Sequence, residues 1–241
     1  MALDAFLPES SQPTRRVLRD EVYDSLLELL VSGHFNPGDT LGIDPLAAKL
    51  QVSPTPVREA LVQLESTGLV TRTALRGYKV APPMSEDAIK QLFDARLLLE
   101  VEVLPHAMQH RGSLLPRLNR IWEQHRKHTE IIQSTADGET SAKELGAYVA
   151  ADRAFHDAIF ESTGNAYFLQ MARHISIHGQ RLRQFVALQA VDAELATSEH
   201  KEILEAIESN DVDRAKDAAR RHILGVRQRT LNDTADTAIA P

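Results

Sequence analysis

Positions 85–231 carry apolar residues only at helical spacing, and no segment there alternates between apolar and polar residues like a strand. The spacing predicts six helices, the first of them kinked by Pro105. They are expected over 85–111, 114–135, 141–163, 165–190, 193–209 and 211–231. Short polar breaks favour antiparallel neighbours, so residues 86–231 are predicted to form an all-α antiparallel helical bundle.

The preceding residues have a mixed pattern. A helical stretch is followed by two shorter ones that begin near Asp44-Pro45 and Thr55-Pro56, and two strand-like runs then flank Arg76-Gly77. This order predicts a winged helix-turn-helix over residues 14–81, in a fold that is mostly α. Pro82 and Pro83 disfavour both helix and strand, so residues 82–85 are predicted to be a linker. Residues 232–241 are expected to form a flexible tail.

The composition narrows the class of protein. The 241-residue chain has no cysteine, which excludes disulfides and thiolate metal sites and fits a reducing cytoplasm. It has no apolar run near the ~18 residues that a membrane helix needs, and residues 1–10 lack the pattern of a signal peptide. A net charge of -7 argues against a protein that coats nucleic acid over its whole surface. Residues 45–80 nevertheless hold five basic and two acidic side chains.

The helix predicted from Thr55 to Thr67 has an inward apolar stripe, which leaves Thr55 and Arg58 facing outward. A helix N-terminus offers free N–H groups to phosphate, and an outward arginine one turn in can bind guanine O6 and N7. In the alternative, Arg58 pairs with Glu59 or Glu65 on a solvated face. The neighbouring short helix and the wing favour contact with DNA.

These residues resemble those of the GntR family of regulators, FadR subfamily. The resemblance is carried by Gly33, Pro37-Gly38-Asp39, Leu46-Ala47, Leu50, the unbroken run from Val52 to Leu61, Leu64-Glu65 and Gly68-Leu69-Val70. Family members usually have arginine at the position of Pro54, and several have it at Asp44, so those two contacts are not carried over. The resemblance implies operator contacts by Ser53, Thr55, Arg58, Arg72, Arg76 and Gly77.

Polar residues interrupt the apolar faces of three helices in the bundle. Asp152 and His156 are four residues apart and share a core-facing stripe. His200 and His222 lie in the apolar stripes of two later helices. Imidazole and carboxylate suit zinc, nickel or a similar divalent ion with open positions for water or a ligand. The spacing equally allows that Asp152 pairs with an arginine and that the histidines are satisfied core residues.

The bundle resembles the FCD class of GntR effector domains. The resemblance is carried by Arg96 with Glu100, Asp152 to His156, Gly164-Asn165, Glu199-His200, Ile203-Leu204, Ala206-Ile207 and His222. It implies a divalent metal, with zinc expected and nickel or manganese as alternatives, held by Asp152, His156, His200 and His222. It also implies a small organic acid beside the metal.

Arg96 is the main candidate for holding the carboxylate of that acid, because its planar fork matches two oxygens. Glu100, one turn further on, is an equally good structural partner for Arg96. Asn165 and Arg181 are weaker candidates for the same effector pocket.

Together these patterns predict a DNA-binding transcription regulator, of repressor type, whose operator binding is controlled by a small organic acid. A homodimer is expected, because one winged helix makes few base contacts and paired heads on a near-palindrome supply the rest. One alternative is a helical-bundle metalloenzyme, but the chain has no Glu-x-x-His, no Gly-rich phosphate loop and no nucleophile elbow, so no enzymatic activity is expected. The other alternative is a DNA-binding protein that has no effector and at most a structural metal.

Overall fold

The structure is a computed structural model that describes residues 13–31, 34–73, 77–135, 140–185 and 190–239. It divides into two units, Met1–Pro82 and Pro83–Pro241. The division falls within the run of residues where the sequence predicts a linker.

The first unit packs helices against a small sheet. Its elements are α1 (Pro13–Val31), β1 (Thr40–Leu41), α2 (Ile43–Leu50), α3 (Pro54–Ser66), β2 (Val70–Thr73) and β3 (Gly77–Val80). The strands form an antiparallel sheet in the order β1-β3-β2. The fully buried stripe of α3 packs with α1 to form the core. This arrangement confirms the winged helix-turn-helix, whereas β1 was not predicted, because two residues are too few to show alternation.

Helices α2 and α3 begin earlier than the starts predicted at Asp44-Pro45 and Thr55-Pro56. Their first residues are Ile43 and Pro54. Helix α2 has Gly42 as its N-cap, so Asp44 lies in the first turn, where a negative charge favours the helix N-terminus. A Cβ at residue 42 would lie only 3.1 Å from the ring of Pro45, which explains the glycine. Helix α3 has Ser53 as its N-cap and Pro54 at its first position, where a missing N–H is harmless.

The second unit is the predicted helical bundle. Its helices are α4 (Glu86–Glu102), α5 (Leu104–Met108), α6 (Arg111–Ser134), α7 (Ala142–Ser162), α8 (Ala166–Phe185), α9 (Ala190–Glu208) and α10 (Val212–Ile239). Helix α6 packs on α7 and α9, and α10 packs on α9 and α4. The core joins side chains of most helices, among them Phe93, Leu104, Leu118, Phe155, Leu204 and Ile223.

The bundle departs from the sequence prediction at two places. The predicted helix 85–111 is divided into α4 and α5, because Pro105 sits at the start of α5 and interrupts the hydrogen bonding of a continuous helix, and Arg111 already belongs to α6. Helix α10 continues to Ile239, where the sequence predicted a tail from Asn232. Extending an existing helix costs far less than nucleating one, so a polar end without periodicity can still be helical.

Among the described helices, none combines the length and the hydropathy of a membrane-spanning segment.

Candidate functional site

Three histidine rings from three helices meet inside the bundle. His156 is on α7, His200 on α9 and His222 on α10, and one ring nitrogen of each lies within 4.8 Å of the others. The Nε2 atoms of His156 and His200 are 3.2 Å apart. Two imidazoles on one tetrahedral zinc, with Zn–N bonds of about 2.0–2.1 Å, would place their nitrogens at about this separation.

Carboxylates fix the tautomers of two of these rings. His156 Nδ1 donates to Glu100 Oε2 at 2.8 Å, and His222 Nδ1 donates to Glu199 Oε2 at 2.8 Å. A carboxylate only accepts, so each Nδ1 carries a proton, and in the neutral form of either ring Nε2 is the nitrogen with the free lone pair. Carboxylate partners of this kind orient histidine for metal binding and increase its basicity.

Both carboxyls are held in the ionised form. Burial opposes ionisation of Glu100, but Arg96 and His156 outweigh it and hold its pKa well below the usual range. Burial likewise opposes ionisation of Glu199, and the hydrogen bonds from His222 and Arg229 bring its pKa below the ordinary value. Both groups therefore act as permanent acceptors at neutral pH.

His200 and His222 are held in the neutral form. Burial lowers the pKa of His200 well below its ordinary value, because the charged ring would lose its hydration. Positive charge on the neighbouring His222 or His156 ring would lower this pKa further. Burial also lowers the pKa of His222, against the opposing hydrogen bond to Glu199. Since neutral imidazole is the form that binds metals, the chemistry of this donor set fits a divalent ion.

Asp152, the fourth predicted ligand, lies beside His200. Its Oδ1 is 3.9 Å from His200 Nε2, and its side chain is buried. Asp152 forms a second group with His200 and His125, and the candidate ligand atoms of this group also lie within 4.8 Å of one another. Within the part of the chain that the structure describes, the candidate ligands therefore form two overlapping groups that share His200.

A cavity of about 50 Å³ adjoins His156, between α4, α7 and α8. Its charged lining residues are Arg96, Glu100, Asp152, Arg153 and Asp157. Arg96 Nε donates to Glu100 Oε1 at 2.6 Å, so the ion pair considered from the sequence is present, and the guanidinium also lies 5.2 Å from the centre of the Phe93 ring. Arg153 Nε donates to Asp157 Oδ2 at 3.2 Å. By formal charge, three carboxylates against two guanidinium groups leave this lining with one negative charge in excess.

The first unit presents its predicted DNA-contacting residues at the surface. Ser53, Thr55 and Arg58 are exposed along the N-terminal half of α3. Arg72 is exposed on β2, with its guanidinium 5.9 Å from the centre of the Tyr78 ring. Gly77 begins β3 with a φ of 83°, a conformation that favours glycine.

Two family models match these two units. Residues 18–80 match the bacterial regulatory proteins of the gntR family, and residues 91–225 match the FCD domain. The chain belongs to the GntR family. It is an FCD-containing GntR regulator, which confirms the resemblance inferred from its sequence.

Relatives of this GntR regulator are themselves transcription regulators. The transcriptional repressor GlaR of Escherichia coli is 28% identical over 81% of this chain and 87% of its own. The regulator LutR of Bacillus subtilis is 31% identical over 61% of this chain and 69% of its own. The relatives are transcription regulators and not enzymes, as the sequence predicts.

Solved structures share the fold of the GntR regulator. McbR/YncC of E. coli superposes with a TM-score of 0.77 at 18% identity, over 90% of this chain and 98% of that one. The metal-free FCD domain of TM0439 superposes with a TM-score of 0.50 at 18% identity, over 64% of this chain and 99% of that one.

One predicted pocket residue of the GntR regulator lies elsewhere. Asn165 is exposed and does not line the described cavity. Its Oδ1 accepts hydrogen bonds from the backbone N–H groups of Tyr167 at 2.9 Å and Phe168 at 3.4 Å. It therefore caps the start of α8, a role that asparagine commonly fills. The side chains of Arg181 and Arg76, also predicted as contacts, lie outside the described residues.

Sequence reasoning missed His125 in this GntR regulator. Its ring is fully buried on α6, with Nδ1 3.3 Å from His200 Nδ1, and it packs against Tyr148 with ring centres 4.5 Å apart. His125 is seven residues from both Leu118 and Ile132, which are buried on the same face. That spacing could have identified it, but the many charged residues of α6 obscure the pattern.

Proposed function

We propose that binding of this GntR regulator to operator DNA is controlled by a small organic acid, held beside a divalent metal in the helical unit. The observation that carries the proposal is the convergence of three histidines next to a cavity that Arg96 lines. The protein acts in the cytoplasm, where its operator DNA is located.

The metal is held by His156, His200 and His222, with Asp152 as the nearby carboxylate. A set of imidazole and carboxylate donors without thiolates suits zinc, nickel or manganese, and zinc is the ion we propose. A bound ion supplies a Lewis-acidic position that a carboxylate oxygen can occupy. By accepting a hydrogen bond from Nδ1, Glu100 and Glu199 favour the tautomers in which Nε2 of His156 and of His222 is free to bind the ion.

The acid enters the cavity between α4, α7 and α8 and shares the guanidinium of Arg96 with Glu100. A volume of about 50 Å³ has room for a few water molecules, which a small acid would displace. A divalent ion would change the excess charge of the lining from negative to positive. The site would then attract an anion that it otherwise repels.

Two copies of the regulator act together on the operator, because one winged helix offers few base contacts. The helical unit is proposed as the dimer interface. The acid contacts α4, α7 and α8, so it can favour one arrangement of the bundle over another. Helix α4 begins at Glu86, three residues after Pro83. A movement of this helix would therefore be passed along the chain to the DNA-binding unit.

Replacing Arg58 with alanine tests the DNA-binding surface. Arg58→Ala is expected to weaken operator binding by about 1–3 kcal/mol and to relax discrimination at one base pair. Arg72→Ala should instead act mainly through the salt dependence of binding. Fluorescence anisotropy on operator variants at several salt concentrations measures both effects. The matched control is Arg120→Ala, an exposed arginine of α6. Unchanged affinity and base preference in Arg58→Ala would remove it from the interface.

A titration of the acid with and without operator tests the regulatory coupling. Operator DNA is expected to change the affinity for the acid by about 5- to 150-fold, and by reciprocity the acid changes operator affinity by the same factor. Arg96→Ala should lose affinity for the acid, whereas Lys90→Ala on the same helix should not. Equal affinities with and without operator would contradict the allosteric coupling.

A further inference from the structure

Glu199, on α9, contacts two side chains of α10, a histidine of the site and an arginine. Its Oε2 accepts from His222 Nδ1 at 2.8 Å. Arg229 donates to both carboxylate oxygens, from Nη1 to Oε1 and from Nη2 to Oε2, each at 2.9 Å. Such a two-bond pairing fixes the plane of the carboxylate as well as its position. The orientation of the His222 ring is therefore set by a group that is itself held from two sides.

The space for this pairing is provided by Gly225, midway between His222 and Arg229 on α10. A Cβ built at Gly225 would lie 2.8 Å from Glu199 Oε1 and 3.0 Å from Arg229 Nη1. Both distances are too short for an undisturbed contact. An alanine here would push apart the carboxylate and the guanidinium that orient His222.

Glycine at this position has no conformational reason in the helix. Its φ is not in the left-handed region, and glycine within a helix is less favourable than alanine. Gly146, on α7, shows the contrast, because a Cβ there would meet nothing within 4 Å. The close neighbours of Gly225 are the polar atoms that hold Glu199.

We propose that Glu199, Arg229 and Gly225 form a positioning set that holds His222 in the tautomer that binds metal. The carboxylate keeps the proton on Nδ1, so Nε2 presents its lone pair to the ion. This inference rests on the proposed metal site and adds residues that do not touch the ion. If the Glu199–Arg229 salt bridge only held α9 against α10, it would stabilise the fold without affecting the tautomer of His222.

Zinc titration of the chelator-treated, full-length protein tests the positioning set, with a chelating dye as competitor. Gly225→Ala and Glu199→Gln are expected to weaken zinc binding by about 10- to 100-fold, the usual effect of losing such a partner. Glu199→Gln keeps the size of the side chain and provides the test if Gly225→Ala fails to fold. The control Gly146→Ala should bind zinc like wild type and melt at a slightly higher temperature.

The tautomer of His222 gives a second readout, from nitrogen-15 NMR of the metal-free protein. Wild type should carry the proton on Nδ1, and both variants should hold it there less completely, because an amide oxygen or a displaced carboxylate is a weaker acceptor than the positioned carboxylate. Wild type that binds no zinc would overturn the metal site itself. Wild type that binds zinc, with both variants binding within twofold and with an unmoved tautomer, would overturn the positioning set alone.

Discussion

Replacement of His200 with alanine is expected to remove the bound metal and to lower the melting temperature sharply. His200 belongs to both groups of candidate ligands, is fully buried, and stacks on Phe155 with ring centres 4.3 Å apart. Loss of a buried ring leaves a cavity, which costs about 3–5 kcal/mol for comparable aromatic side chains. The variant also loses the stabilisation by bound metal, about 2.7 kcal/mol when free metal exceeds Kd by 100-fold.

Elemental analysis and thermal melts with and without added zinc measure the two effects separately. The wild-type protein should carry close to one ion per chain and gain stability with zinc, whereas His200→Ala should do neither. The control His110→Ala removes an exposed ring outside both groups and should behave like wild type. Metal retained by His200→Ala would contradict the site.

Removal of the metal is expected to abolish binding of small carboxylic acids. The cavity lining has one excess negative charge without the ion, and Arg96 is already paired with Glu100. A unit charge about 4 Å away contributes about 4 kcal/mol at an effective dielectric constant of ~20. A loss of at least about 100-fold in affinity is therefore expected, since each 1.4 kcal/mol corresponds to about tenfold.

Calorimetric titration of a panel of short monocarboxylic acids measures this effect, first on chelator-treated protein and then after zinc is restored. Restoring zinc should restore binding, which shows that the treatment did not damage the protein. Tight binding by the metal-free protein would instead place the acid on Arg96 without the ion.

Much of the site could be predicted, because helical periodicity determines which residues face the core. Asp152 and His156 are one turn apart on α7, and His200 and His222 replace apolar residues in regular stripes. Such positions are buried in any bundle that uses those stripes. The sequence therefore identified the three convergent histidines and the cavity residue Arg96, without knowledge of how the helices pack.

The pairing of side chains between helices could not be predicted in the same way. The bond from His156 to Glu100 joins α7 to α4, and the contact of His125 with His200 joins α6 to α9. Which helices become neighbours is decided by tertiary packing, and the spacing within one helix carries no information about it. The predicted place of Asn165 in the pocket is wrong for a related reason. Its side chain is hydrogen-bonded locally as the cap of α8, and it does not reach the cavity.

The proposed ion would join helices that are far apart along the chain. His156 and His200 are 44 residues apart in sequence, and a chain without cysteine cannot join their helices by a disulfide. An ion bound to both would act as a removable cross-link. By analogy with a disulfide, closing a loop of this length stabilises the folded state by about 4 kcal/mol, because it reduces the chain entropy of the unfolded state. Metal-free chains would then open α9 and α10 more often, and proteases would remove them sooner.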